Sequence, residues 1–330
     1  MSGVSGSKAA PELSIVIPML NEEVALPELF AMLVPVLRGM ALSFEILCID
    51  DGSSDGTLAR LLETQKTLPE LRILELSRRF GKEVALSAGL DHARGAAVIP
   101  FDADLQDPPE TLPSLVAKWR EGYDVVLAKR RSRGRDGAIK RLTAWAYYRT
   151  HNILADIDIP ADVGDFRLMD RSVVEALQRL PERRRFMKGL FAWVGFRTAV
   201  VEYDRKARSA GTSAWSLWRL WQFALEGITS FSTLPLRFWS YAGFIIAFFA
   251  LLYGAFVILR TLIYGVDVPG YASLLATVLF LGGLQLLSLG LLGEYVGRIY
   301  SEVKQRPLYL IRRRYEGEGQ MENAQDHDRG

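Results

Sequence analysis

Two carboxylates one residue apart directly follow a run of apolar residues in this sequence. The run, 96–101, is typical of a buried strand, and Asp102 and Asp104 open the segment DADLQDPP that comes after it. Hard divalent cations such as Mg²⁺ and Mn²⁺ prefer oxygen ligands, and Mg²⁺ is commonly held by one or two carboxylates together with substrate phosphates. Ligands of open α/β sheets bind outside the carboxyl ends of the strands, which is where these residues are expected. The alternative is a solvated turn whose aspartates cap a helix.

Strand-like apolar runs alternate with amphipathic stretches along the first part of the chain. This alternation predicts an α/β fold in which helices cover a mostly parallel sheet. Strands are expected at 13–18, 44–49, 71–76, 96–101 and 123–128, and helices at 22–37, 56–68 and 82–93, with another helix starting at 108–110. Asn21 and Asp55 are expected to cap the first two helices. The lone Cys48 is expected to be a small core residue of the second strand.

Two long apolar runs near the C-terminus predict membrane spans. The run 238–263 contains Arg260 as its only charged residue, and the run 271–293 contains none. At about 1.5 Å per residue each can cross a hydrocarbon core of about 30 Å, although a buried core helix is the alternative. Lys and Arg are absent from the connection 264–270 and frequent outside the two runs, so the positive-inside rule places the N-terminal domain and the C-terminal tail in the cytoplasm. With no signal peptide recognised, the expected location is the inner (cytoplasmic) membrane.

These patterns divide the chain into a series of segments. A disordered N-terminus is expected at 1–11, an α/β domain at 12–210, amphipathic interface helices at 211–236, membrane helices at 237–264 and 272–296 around an external loop at 265–271, and a cytoplasmic tail at 297–330. Trp215, Trp218 and Trp221 recur at i, i+3 and i+6, which favours a helix lying in the membrane interface, with core packing as the alternative. The acidic part of the tail after Tyr315 is expected to be disordered. A formal net charge of +2 over 330 residues gives no indication of a nucleic-acid partner.

Several motifs, taken in order, resemble those of family 2 glycosyltransferases, which have the Rossmann-like GT-A fold. Residues 14–18 (SIVIP), 21–23 (NEE) and 49–57 (IDDGSSDGT) resemble the nucleotide-binding opening of these enzymes, and the carboxylate pair resembles their metal motif. Residues 164–171 (GDFRLMDR) and 293–300 (GEYVGRIY) narrow the resemblance to polyprenyl-phosphate glycosyltransferases, in the superfamily of dolichol-phosphate mannose synthase, and most closely to the bactoprenol (undecaprenyl-phosphate) glucosyltransferases. The similarity runs from about residue 13 to residue 312. It implies a membrane enzyme that transfers glucose from UDP-glucose to undecaprenyl phosphate.

The resemblance implies a site for the nucleotide sugar at the ends of the first two strands. Asp50 or Asp51 would accept the imide hydrogen of uracil, unless the pair only forms a turn with the glycine that follows it. Pro18 and Glu22 would flank the base and the ribose. Lys82 could reach the diphosphate as a point charge, the alternative being a solvated lysine at the start of a helix.

A metal site is implied beside the nucleotide. Asp104 is the preferred ligand of Mg²⁺ or Mn²⁺, and Asp102 either joins it or contacts the ribose instead. The metal would act as a Lewis acid and stabilise the charge that develops on the departing UDP. Gln106 and Asp107 follow at the same exit and could touch the sugar or the metal, with helix capping as the alternative.

The acceptor phosphate calls for cations and not for a strong base. A phosphate monoester with a second pKa of about 6 is largely a dianion at about pH 7, so it is already a nucleophile. Arg130 and Arg167 are the residues expected to clamp it, because Arg grips phosphate bidentately. Asp165 occupies the catalytic position of the family and would orient the acceptor or accept the residual proton of the monoanion. Arg208 is a further candidate phosphate contact, since Ala214 stands where the family usually has a lysine. The resemblance implies inversion at the anomeric carbon.

Two other functions remain open from the sequence. The same reaction could use another donor, such as a UDP-amino-arabinose, a UDP-N-acetylhexosamine or GDP-mannose. A non-catalytic membrane scaffold or nucleotide sensor is supported only by Ala214, and the retention of Asp102, Asp104 and Asp165 argues against it. The resemblance also implies a homo-oligomer, expected to be a tetramer, to which the tail 300–310 could contribute.

Overall fold

The structure is a computed structural model of the 330-residue chain. It describes residues 10–131, 163–180, 187–204 and 270–316, together with 182, 185, 321–323 and isolated positions between 243 and 264. The chain divides into two compact units. The first comprises Met1–Tyr148, Ile157–Ser216 and Arg306–Gly330, and the second comprises Arg149–Asp156 and Leu217–Gln305.

The first unit is built on one mixed sheet, in which the described residues form nine strands. These are β1 (Leu13–Met19), β2 (Phe44–Asp50), β3 (Leu71–Leu76), β4 (Ala97–Pro100), β5 (Val125–Arg130), β6 (Val163–Asp170), β7 (Thr198–Tyr203), β8 (Ile311–Tyr315) and β9 (Met321–Asn323). Their order across the sheet is β7-β5-β6-β4-β1-β2-β3-β8-β9. The residues of β1 to β4 are almost all buried, as expected for central strands that are covered by helices on both faces.

The centre of the sheet is parallel, whereas its flanks contain both parallel and antiparallel pairs. β1 pairs in parallel with β2 and β4, and β2 pairs in parallel with β3. β6 is antiparallel to β4 and β5, β8 is antiparallel to β3 and β9, and β5 and β7 are parallel. The prediction of an α/β fold is confirmed, and the prediction of a mostly parallel sheet holds for the four central strands and for the pair β5 and β7. The reversed direction of β6 brings its first residues to the carboxyl end of β4.

Helices cover both faces of this sheet. Ile15 and Ile17 of β1 belong to the core formed with α1 (Leu26–Gly39), α2 (Thr57–Gln65) and α4 (Leu112–Arg120). The other face carries α3 (Lys82–His92), α5 (Arg171–Gln178) and α6 (Met187–Trp193). Gly89 lets α3 approach closely, because a Cβ atom there would lie 2.2 Å from Val16 Cγ1 and 2.7 Å from Ile49 Cδ1. Cys48 is buried in β2, as predicted.

The end of the chain returns to the first unit and extends its sheet. β8 pairs with β3, whose outer edge would otherwise be unpaired, and β9 pairs with β8. Glu316, just after β8, lies 2.8 Å from the buried Arg72 of β3 and 3.1 Å from Arg94. The prediction of disorder after Tyr315 is therefore wrong for Glu316 and for 321–323. The buried Arg72 needs a counter-charge, and the acidic tail supplies it.

The second unit contains α7 (Tyr271–Val303), a helix of 33 residues. Its segment Phe280–Val303 is the one helical stretch within the described residues that is long and apolar enough to cross a membrane. Large apolar side chains on this segment, such as Leu286, are exposed. Several predicted segments lie wholly or largely outside the described residues: most of 1–11, the interface helices 211–236, the first membrane helix 237–264 and the loop 265–271.

Candidate active site

The carboxyl ends of β1, β2 and β4 meet the beginning of β6 at one edge of the sheet. Pro18 and Met19 near the end of β1 lie opposite Ile49 and Asp50 near the end of β2. β4, which ends at Pro100, runs parallel to β1, whereas β6 runs antiparallel to β4. The edge therefore gathers residues that the sequence predicted from separate motifs, namely Pro18, Glu22, Asp50, Asp51, Lys82, Asp102, Asp104, Gln106, Asp107, Arg130, Asp165 and Arg167.

Lys82 is the cation at the centre of this edge. As the first residue of α3 it places its Nζ 2.7 Å from Asp102 Oδ1 and 3.3 Å from Asp165 Oδ2. Burial opposes the charged ammonium, but the attraction of Asp102 and then Asp165 outweighs it, so the pKa of Lys82 is raised above its usual value. The side chain is half exposed. Lys82 is thus a charged group that links Asp165, which was predicted as catalytic, to Asp102, which was predicted to bind the metal or the ribose, and it remains accessible to a ligand.

Asp51 anchors the loop that presents Lys82. Its Oδ1 accepts a hydrogen bond from Phe80 N at 2.6 Å, and its Oδ2 accepts one from Gly81 N at 2.8 Å. Gly81 has a φ of +104°, and Gly52 has a φ of +72° beneath the same loop. A Cβ atom on Gly52 would lie 2.7 Å from the backbone nitrogen of Arg79, so only glycine allows this approach. Both oxygens of Asp51 are engaged by the protein, which leaves Asp50 as the candidate for contact with a base.

Two carboxylates at this edge have raised pKa values. Burial is the main cause for Glu22, and the charges of Asp104 and Asp102 raise its pKa further. Burial also raises the pKa of Asp50, against the opposing effect of hydrogen bonds from Ser53. The effect of Asp104 and Asp102 on Glu22 shows that these three side chains contribute to one region of negative potential, which attracts cations.

The predicted metal ligands lie in a strained turn. Leu105, between Asp104 and Gln106, has a φ of +53°, which is unusual for a residue with a branched side chain. Gln106 fixes Asp104, donating to its Oδ1 from the backbone at 3.2 Å and to its Oδ2 from Nε2 at 2.5 Å. In the described part of the chain no group of three or more His, Cys, Asp or Glu residues is arranged to hold a metal. The protein instead offers the two oxygen-donor side chains of Asp102 and Asp104.

Arg167 and Asp165 carry polar atoms that lack partners within the described residues. Arg167 is buried, with its guanidinium 4.1 Å from the centre of the Phe191 ring, and it donates from Nη2 to Gly164 O at 2.8 Å. Burial lowers the pKa of Arg167 to about 10, against the opposing charge of Asp165. Arg167 Nε and Asp165 Oδ1 are both buried without a hydrogen-bond partner among these residues. Such groups are costly unless something pairs with them, so they mark a place where a ligand can bind.

Arg130 is connected to Asp107 through a tyrosine that the sequence did not single out. Tyr203, at the end of β7, accepts a hydrogen bond from Arg130 Nε at 3.3 Å and donates a short one to Asp107 Oδ1. Asp107 and Tyr203 are both buried. The predicted alternative of helix capping for Asp107 does not describe this contact. No sequence motif marked Tyr203, because its partners lie 73 and 96 residues away in the chain.

The loops after β1 and β2 are joined by reciprocal hydrogen bonds. Thr57 Oγ1 accepts from Glu22 N at 2.9 Å, and Asn21 Oδ1 accepts from Ser54 N at 2.8 Å. The predicted helix cap at Asn21 is wrong, because α1 begins further along the chain and Asn21 has a φ of +57°. Asp55 accepts from Thr57 N at 3.0 Å at the start of α2, and it also accepts from the loop after β1. Together these contacts hold the two loops against each other beside the candidate nucleotide site.

Some predicted residues lie outside the part of the chain that the structure describes. Arg208 and Ala214 belong to this group, as do Trp215, Trp218 and Trp221. Most of the basic segment after Arg131 belongs to it as well. Their predicted roles stay predictions.

Comparisons with known proteins identify the family of this chain. Residues 14–178 match the family described as Glycosyl transferase family 2, and residues 234–299 match the GtrB C-terminal hairpin. The uncharacterized glycosyltransferase sll0501 of Synechocystis sp. is 57% identical over 300 residues, which cover 91% of this chain and 94% of the relative. The SfII prophage-derived bactoprenol glucosyl transferase of Shigella flexneri is 51% identical over 306 residues, which cover 93% and 99%. The solved structure of the mannosyltransferase PcManGT from Pyrobaculum calidifontis aligns with 90% of this chain and 88% of its own at 18% identity, with a TM-score of 0.48. The chain therefore belongs to the family 2 glycosyltransferases and is itself a glycosyltransferase.

Proposed function

We propose that this enzyme transfers a hexose, most favourably glucose, from a UDP-sugar to a polyprenyl phosphate such as undecaprenyl phosphate. The observation that carries the proposal is the contact of Lys82 with both Asp102 and Asp165 at the carboxyl edge of the sheet, with Arg130 and Arg167 on the neighbouring strands. Relatives at about half identity over most of the chain, named bactoprenol glucosyl transferases, support the same acceptor and sugar.

The proposed reaction needs no covalent intermediate on the enzyme. An oxygen of the acceptor phosphate attacks the anomeric carbon of the sugar and forms the new C–O bond. The bond from that carbon to the β-phosphate oxygen of UDP breaks, and its electron pair leaves with UDP. Attack from the face opposite the leaving group inverts the anomeric centre. The protein then has to orient two anions and stabilise the charge of the leaving group.

The cations of the site suit this task. Lys82 is held in the charged form and is half exposed, so it can neutralise the diphosphate. With its pKa lowered only to about 10 by burial, Arg167 still carries its charge at neutral pH. Arg167 Nε and Asp165 Oδ1, which have no hydrogen-bond partner among the described residues, are the groups that would contact the acceptor. Asp165 would orient the phosphate dianion or accept the residual proton from the monoanion.

A divalent metal fits the donor set at this edge. Asp102 and Asp104 provide carboxylate oxygens, and the raised pKa of Glu22 reflects the negative potential that they create. Two protein carboxylates suffice for Mg²⁺ or Mn²⁺ when substrate phosphates complete the coordination. When bound, the metal would act as a Lewis acid for the charge on departing UDP. Asp104 is the side chain whose orientation is fixed, by Gln106.

The proposal also places the enzyme in the inner membrane with its catalytic unit on the cytoplasmic side. The apolar segment Phe280–Val303 supports an anchor, and the chain's match to a C-terminal hairpin family over 234–299 supports a second apolar helix. When the site is anchored at the membrane, the lipid acceptor reaches it by diffusion in two dimensions instead of three. Green fluorescent protein fused after residue 330 should fluoresce in cells, whereas a fusion within 265–271 should not. A homotetramer remains a prediction from the sequence.

Transfer of label into lipid tests the proposed reaction. Purified full-length protein is incubated with radiolabelled UDP-glucose, undecaprenyl phosphate and Mg²⁺ or Mn²⁺, and the organic extract is counted. We expect label in the lipid that is lost with EDTA and in Asp104→Asn. Asp124→Asn is the matched control, because Asp124 lies at the opposite edge of the sheet, where it accepts from Arg197 N. Transfer from GDP-mannose but not UDP-glucose would overturn the donor, and tight UDP binding without any lipid product would overturn the reaction.

A further inference from the structure

Three aromatic rings form a row in the core next to Asp102 and Asp165. Phe101 directly precedes Asp102, and Phe166 directly follows Asp165. The two rings meet edge to face with their centroids 5.6 Å apart, and Phe166 meets Tyr203 in the same way at 5.7 Å. All three rings are buried. The packing of the rings holds the backbone next to Asp102 and Asp165 in place. The last ring of the row carries the hydroxyl group of Tyr203.

That hydroxyl has two charged partners. Tyr203 donates to Asp107 and accepts from Arg130 Nε at 3.3 Å. Burial, together with the charge of Asp107, raises the pKa of Tyr203 to about 12, so the hydroxyl keeps its proton at neutral pH. The proton that points at Asp107 leaves the oxygen lone pairs to face Arg130. Asp107 therefore sets the direction of the Tyr203 hydroxyl, and the hydroxyl sets the position of Arg130 Nε.

The place of Arg130 along the edge indicates what it binds. The strand order β2-β1-β4-β6-β5 puts the candidate base contacts on β2 and β1, the carboxylate pair after β4, Asp165 on β6 and Arg130 on β5. With strands about 4.8 Å apart, Arg130 lies about 10 Å beyond β4, on the side away from the nucleotide. Its Nη2 is 3.5 Å from the position of a Cβ atom on Gly164, next to Asp165. A phosphate bound there is on the acceptor side of Asp165.

We propose that Tyr203 is a positioning residue that orients the Arg130 guanidinium, through Nε, for the phosphate group of the acceptor, and that Asp107 orients Tyr203. This inference rests on the proposed transfer to a lipid phosphate. The bond to Tyr203 uses Nε and does not involve Nη1 and Nη2, the pair that can grip a phosphate from one side. Tyr203 stands on β7, which lies beyond β5 on the side of the sheet away from β1 and β2, so its effect should be confined to the acceptor.

The test is Tyr203→Phe in the full-length enzyme, which keeps the ring packed on Phe166 and removes only the hydroxyl. Loss of one hydrogen bond that orients Arg130 should raise the KM for undecaprenyl phosphate about 3- to 10-fold. The KM for the UDP-sugar should change less than about 2-fold, which is less than the change expected when a hydrogen bond that serves substrate binding is lost. Tyr123→Phe is the control, because it also removes only a tyrosine hydroxyl, and Tyr123 lies just before the start of β5, at the opposite edge of the sheet, with its ring 4.6 Å from the Arg197 guanidinium. It should leave both KM values unchanged.

A double-mutant cycle separates positioning from a general structural effect. In the background of Arg130→Ala, Tyr203→Phe should lower kcat/KM for the lipid by less than about 2-fold, because its target is gone. An equal loss in both backgrounds, or a rise in the KM of both substrates, would overturn the assignment of Tyr203. If the wild-type enzyme transfers no sugar to the lipid, the proposed function fails instead, and the two failures are thereby distinguished.

Discussion

Glu316→Gln tests whether the C-terminal segment stabilises the unit that contains the candidate active site. The side chain of Arg72 is 9% exposed, and it lies between Glu45 and Glu316 with N···O distances of 2.8 Å to each. Glu316 accepts two bonds from Arg72, at 2.9 and 2.8 Å, and two from Arg94 at 3.1 Å. The substitution keeps the shape of the side chain and removes its charge.

The expected loss of stability follows from these contacts. A hydrogen bond to a charged group contributes about 1.5–3 kcal/mol when it is removed from water, whereas the exposed Arg94 pair contributes about 0–1 kcal/mol. Glutamine retains one acceptor oxygen, and Arg72 retains Glu45, so the net loss should be about 2 kcal/mol. For a unit of this size that corresponds to a Tm lower by roughly 4–8 °C.

Thermal unfolding of the purified full-length protein in detergent, followed by tryptophan fluorescence, measures this shift. Glu121→Gln is the matched control, since Glu121 pairs with Lys118 at 2.8 Å on the surface, with both side chains over 40% exposed. Its Tm should change by about 1 °C at most. If Glu316→Gln shifts the Tm no more than Glu121→Gln does, the reasoning about the buried Arg72 is refuted.

The pH dependence of the same comparison has a definite sign. Burial opposes ionisation of Glu316, but the hydrogen bonds and charge of Arg72, with the charge of Arg94, lower its pKa below the usual 4.5. A carboxylate with a lowered pKa in the folded state contributes stability that is present above the unfolded pKa and lost as the pH falls through the folded pKa. The difference in Tm between wild type and Glu316→Gln should therefore be constant near neutral pH and shrink below about pH 4.5.

Three further substitutions test the role of Lys82 and of the residues that hold it in place. Lys82→Met should lower kcat/KM by at least about 10-fold in the transfer assay, because a cation between two carboxylates is lost, and activity within about 3-fold of wild type would contradict this. Asp51→Asn sets an amide N–H against the backbone N–H of Phe80 or Gly81. We therefore expect a loss of about 1–3 kcal/mol in the free energy of unfolding and a higher KM for the UDP-sugar. An unchanged KM argues against the anchoring role. Gly89→Ala forces a methyl group onto Val16 and should lower stability by about 1–3 kcal/mol in thermal unfolding, whereas an unchanged Tm would mean that α3 can shift freely.

The central strands could be predicted from the sequence because they are continuous apolar runs. Of the outer strands, β5 was predicted at 123–128, but β6, β7, β8 and β9 were not. β8 has the sequence IRRRY, and charged residues of this kind give no strand signal by themselves. Its place is decided by Arg72, a partner of Glu316 that lies 244 residues earlier in the chain. β7 alternates exposed and half-buried residues and was likewise missed. The start of α1 was predicted at residue 22 but lies at Leu26, because Asn21 ties two loops together instead of capping the helix.

For the site, motifs gave the identities of the residues but not their connections. Asp102 and Asp165 were predicted from separate segments, and only the antiparallel direction of β6 brings them to the same lysine. Asp51 was predicted as one of two possible base contacts, whereas its oxygens hold a loop 29 and 30 residues away. Tyr203 carried no signal at all. Contacts between distant segments depend on the topology of the sheet, which local sequence patterns do not determine.

One helix connects the C-terminal segment of the chain to Lys82 at the candidate site. α3 begins at Lys82, between the two carboxylates, and its other end is held by the C-terminal segment: Tyr309 donates to Asp91 at 2.9 Å, and Arg314 lies 3.2 Å from His92 Nε2. Between these ends, close packing of Gly89 against β1 leaves the helix little room to slide. A cation stabilises a leaving group best when its position is fixed before the reaction, since no reorganisation is then required. The segment that follows the apolar helix α7 therefore belongs to the framework that positions Lys82.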